Sequence, residues 1–355
     1  MALLLVPADS NFETAIQKGD AKAGEIQGQT RQHARILNVL GVKQILIGVN
    51  KMDCVAVGNR YSEARFIEIR EEMRNMLIRT GWKKDFVANG VPIIPISSWM
   101  GDNLLAKSAN MPWWNGVEVD VADKGKMTVV TLMDCLNDFA SPPVRLIEAP
   151  MRCPISGIYK IRGVGDVLAG RVEQGVVHPG EDAIFLPTHT TGTPCGGKIL
   201  SVEMHHTPLD SGKPGDHVGL NIKGLDKNNM PRSGDVMVYK RDGTLKATKT
   251  FTCQIMTLDH IPGELTCGYS PIGFVRSGRA ACRMTEIIWK MGKETGGAKL
   301  EIPANLKANE VALATFEPMT PFVCDSFKNC EGLSRIVFLD GNTVVILGKV
   351  ISVTS

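Results

Sequence analysis

A chain of 355 residues is too long for one ordinary domain and fits two or three, each able to bury its own core. Hydrophobic residues make up 43% of it and the mean hydropathy is -0.01, the balance of a soluble globular protein. No apolar run approaches the roughly 20 residues that span a bilayer, and the net charge of +3 permits an RNA partner without demanding one. The nine cysteines are scattered and never form a C-x-x-C pair, which points to reduced thiols in a cytosolic protein without a structural zinc.

The chain opens on "MALLLVPAD", apolar but without a basic leader, and this reads as a buried strand rather than a signal peptide. "ALLLVPA" is a continuous apolar run, as expected for a parallel strand covered on both faces. "GQTRQHARILNVLG" follows as a helix ended by Gly41, and "QILIGV" as the next strand. From Arg65 to Arg79, Phe66, Ile69, Met73, Met76 and Leu77 share one helical face, with Gly81 placed to end the helix. "VPIIPIS" is a third buried strand and "TVVTLMDCLNDF" a last helix. Alternating strands and helices predict an α/β domain with a parallel sheet and right-handed crossovers over residues 1–145.

After Pro142-Pro143 the texture changes to short strands and glycine-rich turns, the signature of a small β-barrel over residues 146–245. A second all-β segment runs from 246 to 355. It closes on "SRIVFLDGNTVVILGKVISV", a hairpin turning around Asp340-Gly341.

Chemistry concentrates where "QILIGV" ends. Ligands of an open α/β sheet bind beyond the carboxyl ends of its strands, and Asn50, Lys51, Met52 and Asp53 stand there. A carboxylate at Asp53 can accept two hydrogen bonds from the N1 and N2 hydrogens of guanine. Adenine offers neither donor, which costs about 1–3 kcal/mol or more. The Lys51 stem can lie across the base with its ammonium in water, and Asn50 can tie the loop to its neighbours. At the end of the following strand come Ser97, Ser98 and Trp99. There a backbone N–H, expected from Ser98, can donate to the guanine oxygen, and the Ser97 hydroxyl can orient Asp53.

No phosphate-binding loop accompanies this constellation. The string "GTPCGGK" (192–198) has its letters, but Ile199 stands where a Ser or Thr is needed and a strand follows rather than a helix. "DHVG" (216–219) spells a magnesium loop but is read as a turn inside the first barrel. His205-His206 is read as two strand residues pointing to opposite faces, with a structural role. Trp113-Trp114 is read as packing, and Glu63, Glu68, Glu71 and Asp85 as solvated helix faces. No catalytic residue and no metal ligand is assigned.

The segments "GVKQILIGVNKMD", "VPIIPISSWMGDNLL", "SANMPWW", "GIYKIRGVGDVLAGRVEQGVVHPGE" and "SVEMHH" together resemble translation elongation factor one-alpha and its bacterial counterpart Tu. "KGDAKAGEIQGQTRQHA", "GWKKDF" and "FLDGNTVVILGKV" look more like the elongation factor-like branch. The resemblance covers essentially the whole chain. It implies part of a P-loop-type GTPase domain followed by two all-β barrels, N-terminally truncated, with Met1 just before or at the strand that follows the family's magnesium loop. It also implies GTP or GDP as ligand and Mg2+ in the full-length form. The implied partners are aminoacyl-tRNA, the ribosome and a guanine-nucleotide exchange factor, met by a monomer in the cytoplasm with no membrane contact. Arg171, Lys198, His217 and Lys223 are its candidate tRNA contacts on the first barrel. The family's S-G-W base loop reads Ser97-Ser98-Trp99 here. The alternative is a non-hydrolysing RNA- or protein-binding module of the same fold.

Overall fold

A computed structural model of the chain describes residues 1–17, 28–39, 41–54, 60–121, 124–190, 192, 194–258, 261–292 and 294–355. The chain divides into two compact units, Met1–Pro143 and Val144–Ser355.

In the first unit, strand β1 (Ala2–Pro7) leads through a short helix α1 (Phe12–Ile16) to α2 (Gln29–Val39) and then to strand β2 (Ile45–Asn50). Helix α3 (Glu63–Arg79), α4 (Lys84–Asn89) and strand β3 (Ile93–Pro95) follow. The strands form a parallel sheet in the order β1-β2-β3, with Leu4 opposite Ile47 and Ile47 opposite Ile93. Central β2 is buried through Val49, which is why its sequence is an unbroken apolar run.

On β1 the expectation of two covered faces fails. Leu4 and Val6 are buried, whereas Leu3 and Leu5 are 40% and 48% exposed. The strand lies at the sheet edge, and its alternating side chains meet different surroundings on the two faces.

Helix α3 starts where Ser62 accepts a hydrogen bond from the Arg65 N–H, and ends at Gly81 with φ of +99°. All five residues of its predicted apolar face are buried, each contributing about 1.5–3 kcal/mol. Phe66 meets Trp113 and Trp114 with ring centroids 5.6 and 5.4 Å apart. The two indoles donate to the Tyr61 and Val130 carbonyls, so this pair is packing, as expected.

The last helix is shorter than predicted. Residues 125–129 form strand β5 (Gly125–Val129), antiparallel to β4 (Val117–Val121), and helical structure begins only at Leu132. The β-branched run Thr128-Val129-Val130-Thr131 favours the strand. Thr131 then caps the helix, its hydroxyl accepting from the Asp134 N–H while Asp134 accepts from the Thr131 N–H.

The second unit holds two barrels. The first comprises β6 (Cys153–Ile161), β7 (Gly165–Arg171), β8 (Asp182–Leu186), β9 (Gly196–Met204), β10 (Thr207–Leu209), β11 (His217–Lys223) and β12 (Val236–Tyr239). Pairing runs β9-β11-β7-β6-β12-β8 and closes by β8 on β9, with β10 appended. The second comprises β13 (Thr250–Thr257), β14 (Ile272–Val275), β15 (Gly278–Met291), β16 (Leu300–Glu301), β17 (Val311–Pro318), β18 (Arg335–Asp340) and β19 (Thr343–Thr354). It closes by β14 on β15, with β16 appended. Both are six-stranded, and closure leaves each no open edge except on its appended strand. The predicted hairpin joins β18 to β19 across Gly341-Asn342, with Gly341 at φ +57°. At Gly234 (φ +101°) an added Cβ would lie 2.6 Å from the Gly278 Cα, so the two barrels approach backbone to backbone.

His205 and His206 are not strand residues. Both have positive φ, +51° and +61°, and make the two-residue turn between β9 and β10. "DHVG" is also corrected: Asp216 closes the turn at Pro214-Gly215, its N–H donating to the Lys213 carbonyl, and His217 begins β11.

Candidate guanine-reading site

The site is assembled at the carboxyl ends of β2 and β3. Past Asn50 the chain turns through Lys51, which takes a left-handed conformation (φ +64°) at a cost of about 1–2 kcal/mol for a non-glycine residue. That turn sends Met52 fully into the core and leaves Lys51 outside. The Met52 N–H donates to the Ile96 carbonyl (3.3 Å) and its carbonyl accepts from the Tyr61 N–H (2.9 Å), so Asp53 issues from an anchored point.

Asn50 joins the two loops as expected. Its Oδ1 accepts from the Lys51 N–H at 2.8 Å and from the Ser98 N–H at 2.9 Å. The Ser98 N–H, expected to face the guanine oxygen, is therefore engaged by Asn50. Ser97 is fully buried; its hydroxyl donates to Asp53 Oδ1 at 2.6 Å and accepts from the Met100 N–H at 3.1 Å. Trp99 is 89% exposed at the rim.

A buried polar frame holds this second loop. The Ser97 N–H donates to the Asp102 carbonyl. Asp102 Oδ1 accepts from the Ser108 hydroxyl (2.6 Å) and Asn110 Nδ2 (3.0 Å), and Asn103 Nδ2 donates to the Pro95 carbonyl (2.9 Å).

Burial works against ionisation of Asp53, but hydrogen bonds from the Ser97 hydroxyl and the Cys54 thiol outweigh it and lower its pKa below the usual 3.8. Asp53 is thus a carboxylate at neutral pH. The Cys54 thiol donates to Asp53 Oδ2 at 3.1 Å, and that bond pushes its own pKa above the usual 9.0. The Lys51 ammonium, expected to stand in water, is paired with Asp9 Oδ2 at 3.0 Å.

Cys54 and Asp9 were missed from sequence. Cys54 directly follows the motif, and Asp9 sits at the carboxyl end of a neighbouring parallel strand, where the strand-end rule applies equally. On the first barrel, β7, β9 and β11 bring the four basic candidates together as two cross-strand pairs, Arg171 opposite His217 and Lys198 opposite Lys223. All four are exposed, with the pairs at opposite ends of β11.

Comparison with known proteins bears directly on this arrangement. The family model for the elongation factor Tu GTP-binding domain matches residues 2–142, that for elongation factor Tu domain 2 matches 165–238, and that for the GTP-eEF1A C-terminal domain matches 250–351. Elongation factor 1-alpha of Serendipita indica is 35% identical over 352 residues, covering 99% of the chain and 71% of that relative. The chain belongs to the elongation factor 1-alpha family. Elongation factor 1-alpha of Eimeria bovis is 36% identical, with 99% of the chain and 92% of that protein covered; the protein of the same name from Desulfurococcus mucosus is 35% identical, covering 95% and 71%. Among solved structures, sup35 complexed with GMPPNP superposes with a TM-score of 0.53 at 23% identity, over 99% of the chain and 78% of that structure. The fold class expected for an elongation factor 1-alpha family member, a parallel-sheet GTPase domain followed by two β-barrels, is borne out. With it stands a translation elongation factor function resting on a guanine-nucleotide-binding domain. Among the described residues, no helix is long and apolar enough to cross a membrane.

Proposed function

We propose that Asn50, Lys51, Met52, Asp53, Ser97, Ser98 and Trp99 read the guanine of GTP or GDP, as the base-recognition half of a translational GTPase site. One observation carries this reading: the Asp53 carboxylate is oriented by a 2.6 Å hydrogen bond from buried Ser97 at the ends of two adjacent parallel strands. Asp53 presents its oxygens to the guanine N1 and N2 hydrogens, the Lys51 stem crosses the base, and Asn50 locks the two loops in register. With the Ser98 N–H on Asn50, the guanine oxygen is assigned to the next backbone N–H, that of Trp99.

In the family's activity the nucleotide-bound factor delivers aminoacyl-tRNA to the ribosome, as a cytoplasmic monomer recharged by a guanine-nucleotide exchange factor. The basic pairs on β11 are our candidates for contact with the tRNA. We further take residues 1–145, 146–245 and 246–355 as the three functional domains. Magnesium does not fit the residues present. The carboxylate of the D-x-x-G string, Asp216, accepts from the Lys213 N–H at 2.9 Å and faces Arg145 at 3.6 Å. Among the described residues, no group of three potential ligands gathers. No step is derived through the metal.

The test is a guanosine titration of the chain, followed by quenching of the exposed Trp99. Guanosine is expected to bind weakly but saturably and adenosine not to bind, with Asp53→Ala abolishing the difference. Equal response to both nucleosides in the parent chain would overturn the assignment.

A further inference from the structure

Asp9 lies outside the base-reading motif, on the loop after β1, 42 positions before the lysine it meets. Its Oδ2 accepts from Lys51 Nζ at 3.0 Å, while Oδ1 accepts from the Asn11 N–H at 3.0 Å and Oδ2 also from Asn11 Nδ2 at 3.2 Å. Three hydrogen bonds thus converge on the carboxylate and fix where its charge sits. The loop is itself pinned from α3. The Arg65 guanidinium donates to the Ala8 carbonyl (3.2 Å) and to Glu13 (2.8 Å), and lies 5.5 Å from the centre of the Phe12 ring. A rigid element therefore reaches across to hold the tip of a flexible side chain.

We infer that Asp9 is a positioning residue for guanine recognition: it anchors the Lys51 ammonium so that the lysine stem lies extended beside the base-reading carboxylate. This inference rests on the base-reading assignment above. The physical reasoning is entropic and geometric. A free lysine loses most of its rotamer freedom on covering a base, and a tethered one has lost it beforehand, the general advantage of preorganisation. The backbone contributes too, because the left-handed turn at Lys51 aims the side chain out of the core and toward Asp9. The ion pair also holds the ammonium above the usual lysine pKa, so the lysine stays charged throughout the neutral range. The partners of Asp9 are Asn11 and Lys51, and no base edge is assigned to it. It should set affinity and leave the choice of base to Asp53.

The experiment compares the parent chain with Asp9→Asn, Asp9→Glu, Lys51→Met and the double variant Asp9→Asn/Lys51→Met, using guanosine and adenosine as probes. Asp9→Asn is expected to weaken guanosine binding about two- to fivefold, the range for an exposed ion pair. The preference for guanosine over adenosine should be unchanged, and Asp9→Glu should restore most of the loss. Lys51→Met should lose at least as much, with no further loss in the double variant, a non-additivity that a merely structural role for Asp9 would not produce. Side-chain ammonium NMR gives a second readout: the slowly exchanging Lys51 signal should vanish in Asp9→Asn. If Asp53→Ala abolishes binding while Asp9→Asn binds as the parent does, or the two losses add, the anchoring role falls and the base site stands. If the parent binds guanosine no better than Asp53→Ala does, both fall together.

Discussion

Replacing Ser97 with alanine tests the site at its most buried point. The substitution keeps Cβ and removes one oxygen that makes two hydrogen bonds, to Asp53 Oδ1 and from the Met100 N–H. The second is a neutral bond from the Met100 N–H and contributes less. The first is to an ionised acceptor, worth about 1.5–3 kcal/mol, and Asp53 is half-buried, which favours the lower end. Ser97→Ala should therefore lose about 1.5 kcal/mol, roughly tenfold in the opening equilibrium of β2 and β3.

The pH dependence fixes the mechanism. The folded-state pKa of Asp53 is lowered, so its contribution is fully present above the usual 3.8 and fades as pH falls through the lowered value. The gap between parent and variant should thus be constant at neutral pH and narrow below 3.8. Amide exchange of Val49 and Ile96, with a carboxyl NMR titration of Asp53, measures both. A gap under about 0.5 kcal/mol at neutral pH, or one that does not narrow in acid, would refute the view that Ser97 acts through the Asp53 charge.

Three further outcomes follow from the same geometry. Asp53→Asn should shift nucleoside preference from guanosine toward xanthosine, since the amide donates where the xanthine oxygen accepts; retained guanosine preference in competition binding would contradict this. Alkylation of Cys54 near neutral pH should be faster in Asp53→Ala than in the parent, because Asp53 holds the thiol above its usual pKa; peptide mass spectrometry reports the rate, and equal rates would count against the thiol–carboxylate bond. Phe66→Ala should destabilise the first unit by about 3–5 kcal/mol, since Phe66 is 1% exposed and packed on both indoles; tryptophan fluorescence during urea unfolding measures it, and a loss below 1 kcal/mol would mean the cluster is not core.

Where burial is symmetric the fold could be read directly. β2 is enclosed on both faces, and α3 carries one clean apolar stripe, so run length and period were sufficient. Reading failed where a local pattern served two elements. Thr128 and Val129 run directly into the helix that Thr131 caps, and their β-branching favours a strand only weakly until pairing with β4 fixes it. It failed again where conformation ran against residue type. A two-residue turn with both φ positive calls for Asn or Gly, and His205-His206 carries no such signal. At the site, Asn50, Asp53 and Ser97 were legible because strand ends and hydrogen-bonding chemistry define them. The strand-end rule reaches Asp9 as well, but its pairing with Lys51 was not legible, because the two meet only once β1 has paired with β2.

That dependence on pairing explains why the site can be accurate without being large. β2 pairs with β3 in parallel, Val49 opposite Pro95, so the residues just beyond each strand emerge side by side. Asn50 and Asp53 come from one, Ser97 and Ser98 from the other, and the bonds Ser97–Asp53 and Asn50–Ser98 close the gap. The same logic places Asp9, since β1 pairs Pro7 with Asn50 and so delivers the next loop beside Lys51. A slip of one residue in either pairing would turn each strand's side chains to the opposite face. Gly48 resists that slip: an added Cβ there would lie 2.9 Å from both Leu5 and Ile96, so the flanking side chains close over it. A slipped register would bring a side chain under those two residues. The base-reading geometry is in this sense a consequence of sheet register, enforced at Gly48 by sheet side chains outside the base-reading set.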